Sequence, residues 1–110
     1  MVAAILLAVA VAMGAFGAHG LKGRLDAYSM GLWEKAAFYH FIHAMGLLVV
    51  SLQTRVADAS LACWLLLAGI LFFSGSLYAL ALSGVTVLGA ITPLGGTAFI
   101  AAWLVLAYKL

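Results

Sequence analysis

The sequence is poor in charge. Its 110 residues contain five Lys or Arg and three Asp or Glu, 7% of the chain, against about a quarter in an ordinary soluble domain. Eight such side chains cannot cover a water-soluble surface, so most of the chain must face lipid or other protein. The charges form no basic run and sum to only +2. That excludes the positive patch on which nucleic-acid binding rests. A single cysteine, Cys63, excludes an intramolecular disulfide. It lies in an apolar run and reads as a small buried hydrophobe. Proline occurs once, at Pro93, so little interrupts helix formation elsewhere. No basic segment precedes the first apolar run, as one would before a cleavable signal, and that run is expected to be retained.

What the chain has in abundance is apolar: 68% of its residues. They fall into four runs of spanning length and leave nothing for a second domain. The expectation is an all-α protein, an integral membrane four-helix transmembrane bundle, with residues 1–110 as one transmembrane domain. The expected helices are 2–18, 32–52, 60–82 and 85–108. The run at 60–82 has no charge and no proline. At about 1.5 Å per residue it reaches roughly 34 Å, enough to cross a hydrocarbon core of about 30 Å. Gly75, Ala79 and Ser83 recur at four and share a helix face. Small faces let helices approach closely in lipid, so this run is expected to be the central helix, packed on through that face.

Nine of the 17 residues at 2–18 are Ala or Gly. Ala4, Ala8 and Ala12 form one small face, and Ala10, Gly14 and Ala18 another, which predicts a helix clasped between neighbours. Gly20 is the expected left-handed cap. The spacing Gly14, Gly17, Gly20 closes an apolar helix and follows no strand, so it is no nucleotide loop. Residues 21–31 read as an interfacial loop. Trp33 and Tyr39 suit the entering interface of the second helix, where amphipathic rings settle. A short turn at 53–59 carries Arg55 and Asp58, and Ser83-Gly84 turns the chain between the last two helices. In the fourth, Thr92-Pro93-Leu94-Gly95-Gly96 is read as a kink inside one long helix. The alternative starts the helix at Thr92 with Pro93 as its first residue. Trp103, Tyr108 and Lys109 mark the exit. Four spans place both termini on one side. Lys22, Arg24 and Lys35, against Arg55 and Lys109, put that side outside by the positive-inside rule.

Several motifs occur in order: Gly14-Ala-Phe-Gly-Ala-His19, Tyr39-x-x-x-His43, Phe73-Ser-Gly-Ser-Leu-Tyr78, and Thr92-Pro-Leu-Gly-Gly96 followed by Trp103. Together they resemble the YgdD-like family of small inner-membrane proteins, which carry a domain of unknown function. The resemblance covers nearly the whole chain. It implies a polytopic protein of a bacterial inner (plasma) membrane with no assigned activity, so no catalytic residues carry over to this sequence.

Ionisable groups at membrane depth usually face a bundle interior or a pathway. The candidate polar layer is therefore His19, Tyr39, His40, His43, Ser74, Ser76 and Tyr78, beside the kink residues Thr92, Pro93, Gly95 and Gly96. Tyr39 and His43 are four apart and share a helix face. His19 ends the first helix, and His43 lies about 16 Å deeper from the same side, so the two do not flank one haem iron. His40 and His43 have no acidic or thiolate third ligand at their depth, so no metal and no cofactor is expected. No carboxylate is available there to orient a histidine against Ser74 or Ser76, so no catalytic residue is expected either. The favoured reading is a non-catalytic membrane component in the lipid bilayer, either a homo-oligomer or a subunit of a larger complex. A small solute transporter or channel, built on the interrupted fourth helix, is the first alternative. A redox or quinone-handling subunit, built on Tyr39, His40 and His43, is the second.

Overall fold

The computed structural model describes residues 1–53 and 59–109. Four helices are long and apolar enough to cross a membrane. They are α1 (Val2–His19), α2 (Ala27–Leu52), α3 (Ser60–Ser83) and a fourth span over Thr86–Lys109, made of a 3-10 segment (Thr86–Ala90) and α4 (Thr92–Lys109). The bundle measures 47 × 26 × 16 Å along its principal axes, so it is elongated in cross-section. α2 packs between α1 and α3, and α3 between α2 and α4. Most of the turn expected at 53–59, with Arg55 and Asp58, lies outside the described residues.

α2 begins five residues before the expected start at 32. Asp26 has extended backbone (φ −68°, ψ 172°), and its carboxylate accepts the Ser29 N–H at 2.7 Å. This is an N-cap, which satisfies one of the donors left free in a first helical turn. The Ser29 hydrogen bonds hold the exposed Asp26 carboxyl below its ordinary value, so the cap stays charged. The polarity of 21–31 hid this start, because the residues that cap a helix are also those that make a loop.

The fourth span has nearly the expected bounds, but it is not one α-helix kinked at Pro93. α4 starts at Thr92, so the alternative start applies, and the chain before it winds as a tighter 3-10 segment. Pro93 has no N–H to give and is tolerated in a first turn. Ile91 N–H bonds Leu88 C=O at 3.1 Å, and Leu94 N–H bonds Ile91 C=O at 3.0 Å. Bonds three residues apart carry the chain past the proline. Gly84 caps α3 with φ 70°, a left-handed conformation that glycine adopts without steric cost. Gly20, expected to do the same for α1, is right-handed (φ −80°). What it lacks is room, because a Cβ there would stand 2.7 Å from the Phe16 ring.

Two expected packing faces point outward instead. Ala4, Ala8 and Ala12 are exposed, and α1 lies on α2 through Ala3, Ala10 and Gly17. These are seven apart, the spacing of one shallow seam, so α1 is a peripheral helix and is not clasped. On α3, Gly75, Ala79 and Ser83 are exposed as well. The buried face runs through Ala62, Leu66, Ile70, Ser74 and Tyr78. A four-residue step drifts about 40° around an α-helix of 3.6 residues per turn, so four steps would swing this face away. The turn Ile70–Ser74 is π-helical. Its extra residue takes back roughly 100° of that drift. The face therefore stays on α2 and α4, and Leu71, Gly75 and Ala79, each one residue past a buried position, are turned out.

Candidate functional site

Two apolar clusters fill the bundle. One holds Leu47, Leu66, Ile70, Phe99 and Leu106 among others, and the second is built around Trp33, Leu77, Tyr78 and Ala81. Phe73 packs against both. Among the described residues the buried polar side chains His40, His43, Ser74 and Ser76 occupy the chain positions between the two clusters on α2 and α3.

Each of these finds a different neighbour. Ser74 donates to the Ala36 carbonyl at 2.8 Å and ties α3 to α2. Ser76 stands 2.6 Å from the Thr92 hydroxyl and ties α3 to the start of α4. Ser76 also donates to the Phe73 carbonyl at 3.0 Å, beside the π turn. His40 Nδ1 is 3.0 Å from the Tyr78 hydroxyl. Its Nε2 is buried and has no hydrogen-bond partner. His43 Nδ1–H donates to the Tyr39 carbonyl at 2.7 Å, and its ring stacks on Phe99 with centroids 3.5 Å apart and planes at 12°. The two imidazoles, three residues apart in sequence, are thus sent to α3 and to α4. Among the described residues no three His, Cys, Asp or Glu side chains stand together as metal ligands.

Of the residues expected in the layer, Tyr39, His40, His43, Ser74, Ser76, Tyr78 and Thr92 come together. Tyr39 lies at its edge, half-exposed, with its ring 4.7 Å from Phe73. His19 does not join and is exposed at the end of α1. Gly95 meets the backbone of Phe73 directly. Gly96 only touches the Phe73 ring, at 3.7 Å from a built Cβ. Cys63 is half-buried, short of the full burial expected, and lines a mostly apolar cavity of about 330 Å³ with Met1, Leu47 and Trp64.

Trp33 was missed as a site residue. It is 2% exposed, its ring turned into the bundle. Its indole N–H donates to the Met13 carbonyl at 2.8 Å, and its ring lies 4.6 Å from Tyr78 and 5.9 Å from Phe16. Gly17 faces the indole, where a Cβ would come to 2.5 Å. The Gly14/Gly17 spacing on α1 was the available signal, since a glycine on a packed helix marks where a large ring can seat. Gly69 against Phe99, and Gly46 against Trp103, repeat the pairing.

This architecture defines a polytopic α-helical integral membrane protein, and a bacterial plasma membrane fits it. The family described as "Protein of unknown function (DUF423)" matches residues 13–96, and the chain belongs to that family. A UPF0382 membrane protein of Staphylococcus epidermidis is 56% identical over 100 residues, covering 89% of this chain and 82% of the relative. One of Staphylococcus haemolyticus is 49% identical over 105 residues, covering 94% and 86%. The UPF0382 membrane protein YwdK of Bacillus subtilis is 45% identical over 107 residues, covering 94% and 87%. No solved structure matches the chain.

Proposed function

We propose that the chain is a YgdD-like, non-catalytic membrane component that forms one transmembrane domain and works as an assembly of identical copies. The observation that carries this reading is the outward direction of its small-residue faces. Gly75 has open space where a Cβ would be. Ala79 and Ser83 continue its face, and Ala4, Ala8 and Ala12 form a second exposed one on α1. In lipid such faces permit the close backbone contact that holds helices together. Two of them on different helices allow a copy to meet a neighbour on each side. The internal polar groups support the same reading. Ser74, Ser76 and Thr92 bond to one another or to backbone carbonyls, as groups that knit a bundle do.

Native mass measurement after gentle detergent extraction tests this. The expected result is a multiple of the chain's own mass. Gly75→Leu with Ala79→Leu is expected to lower that multiple with the helical content unchanged, since both side chains project outward. A monomeric wild type, or an assembly indifferent to both substitutions, would overturn the reading.

A further inference from the structure

Three span ends meet on the side of the α1–α2 connection. α2 starts there behind its cap Asp26, and α3 stops there at Gly84. The 3-10 segment that opens the fourth span begins two residues later, at Thr86. Between these ends lies an open groove of about 330 Å³. Leu32 and Leu80 give it apolar surface, and Asp26, Tyr28 and Thr86 give it polar groups. Leu32 lies six residues past Asp26, about 9 Å deeper along α2. The groove therefore passes from charge to hydrocarbon in the order that a phospholipid does, and its mouth lies at headgroup depth.

Its electrostatics favour a cation. Asp26 is exposed and brings a full negative charge. The Ser29 N–H, at 2.7 Å, uses only one of the roughly four acceptor positions of a carboxylate. α3 adds the negative end of a helix whose last turn has no basic side chain. Such an end carries about half a charge, and the positive start of α2 offsets it. The Asp26 carboxylate then decides the sign. Among the described residues that line the groove, none is basic. Tyr28 is 71% exposed there, and the face of such a ring attracts cations.

Lys22 and Arg24 are exposed on the connection that leads into Asp26. A small soluble cation gives them no partner, whereas a phosphodiester attached to the cation does. We propose that this groove binds the headgroup of an aminophospholipid, its primary ammonium on the Asp26 carboxylate and its phosphate towards Lys22 and Arg24. A primary ammonium has N–H groups to donate to the carboxylate, and a quaternary one has none. A headgroup that carries only negative charge is repelled by Asp26. The site lies within one chain, so it does not rest on the assembly of copies.

Native mass spectrometry of the full chain in mild detergent reads lipid adducts per chain. Phosphatidylethanolamine, phosphatidylcholine and phosphatidylglycerol with the same acyl chains compete at equal concentration. The ethanolamine lipid is expected to exceed each of the others about tenfold, as one charge-assisted hydrogen bond allows. Asp26→Asn keeps an equally good helix cap and is expected to abolish that preference. Gly89→Leu fills the groove with the charge intact, since a Cβ there meets only Leu80, at 3.8 Å, and is expected to abolish it too. Glu34→Gln, in a separate cavity with Gly17 and Trp33, is expected to retain it. Asp26→Ser, also a cap, and Gly89→Met replace either variant that loses its helical circular dichroism. Equal adducts of the three lipids, a preference that survives at position 26 or 89, or its loss in Glu34→Gln would overturn the proposal. Displacement of the lipid by an equal concentration of free ethanolamine would overturn it as well, by making the site one for a soluble amine.

Discussion

Replacing Gly95 with alanine is expected to destabilise the bundle by about 3 kcal/mol, at the upper end of what forcing atoms into a packed core costs. The reason is the identity of the nearest atoms. A Cβ on Gly95 would collide with the backbone nitrogen of Phe73, and it would stand 2.7 Å from that residue's Cα and Cβ. A flexible side-chain tip could move aside, but backbone cannot. The neighbouring Gly96→Ala is the control. Its Cβ would meet only the Phe73 ring, at ordinary contact distances of 3.7 and 3.9 Å, and it removes a glycine from a helix. That change is expected to be neutral or to stabilise by up to about 1 kcal/mol. Unfolding by denaturing detergent in mixed micelles measures both. Equal effects at the two positions would show that α4 does not meet the π turn through Gly95.

Trp33→Ala has the second large effect, a loss of about 3 to 5 kcal/mol, as for truncation of a buried aromatic residue. Lipid is as apolar as the ring's own surroundings, so the loss is one of packing and not of escape from water. The indole fills the space between Gly17 on α1 and Tyr78 on α3, and it makes the side-chain hydrogen bond that ties α1 down. Trp33→Phe separates the two contributions. It keeps most of the ring and removes the N–H, so it is expected to cost about 1 kcal/mol. The same unfolding titration reads both variants. An alanine variant as stable as wild type would place Trp33 at the surface.

The pairing of Gly95 with Phe73 also shows where the sequence was silent. Four spans are legible in it because the charges are so few and so well separated. The polar layer is legible because histidines and serines stand out in apolar runs. The facing of the helices is not. Ala and Gly recur at four on α1 in more than one phase, so composition alone does not choose Ala3, Ala10 and Gly17 over Ala4, Ala8 and Ala12. On α3 the choice depends on the π turn at Ile70–Ser74. Nothing in ILFFS announces such a turn. It forms because the buried residues Ala62, Leu66, Ile70, Ser74 and Tyr78 repeat at four, a spacing that a plain α-helix cannot keep on one side. Reading Gly75, Ala79 and Ser83 as the inner face missed that phase by one residue. Helix starts were misplaced for a simpler reason. Asp26 and Thr92 are polar positions whose side chains or neighbours organise a first turn, and their polarity alone does not separate cap from loop.

The account rests on four membrane crossings, with α1 to α4 alternating in direction. Reporter domains fused to each end of the chain, and a labelled cysteine at Arg24 in the connection between α1 and α2, test this in intact cells. The predicted result is that both ends report from the same side of the membrane and position 24 from the opposite side. Ends on opposite sides, or position 24 on the same side as the ends, would contradict it.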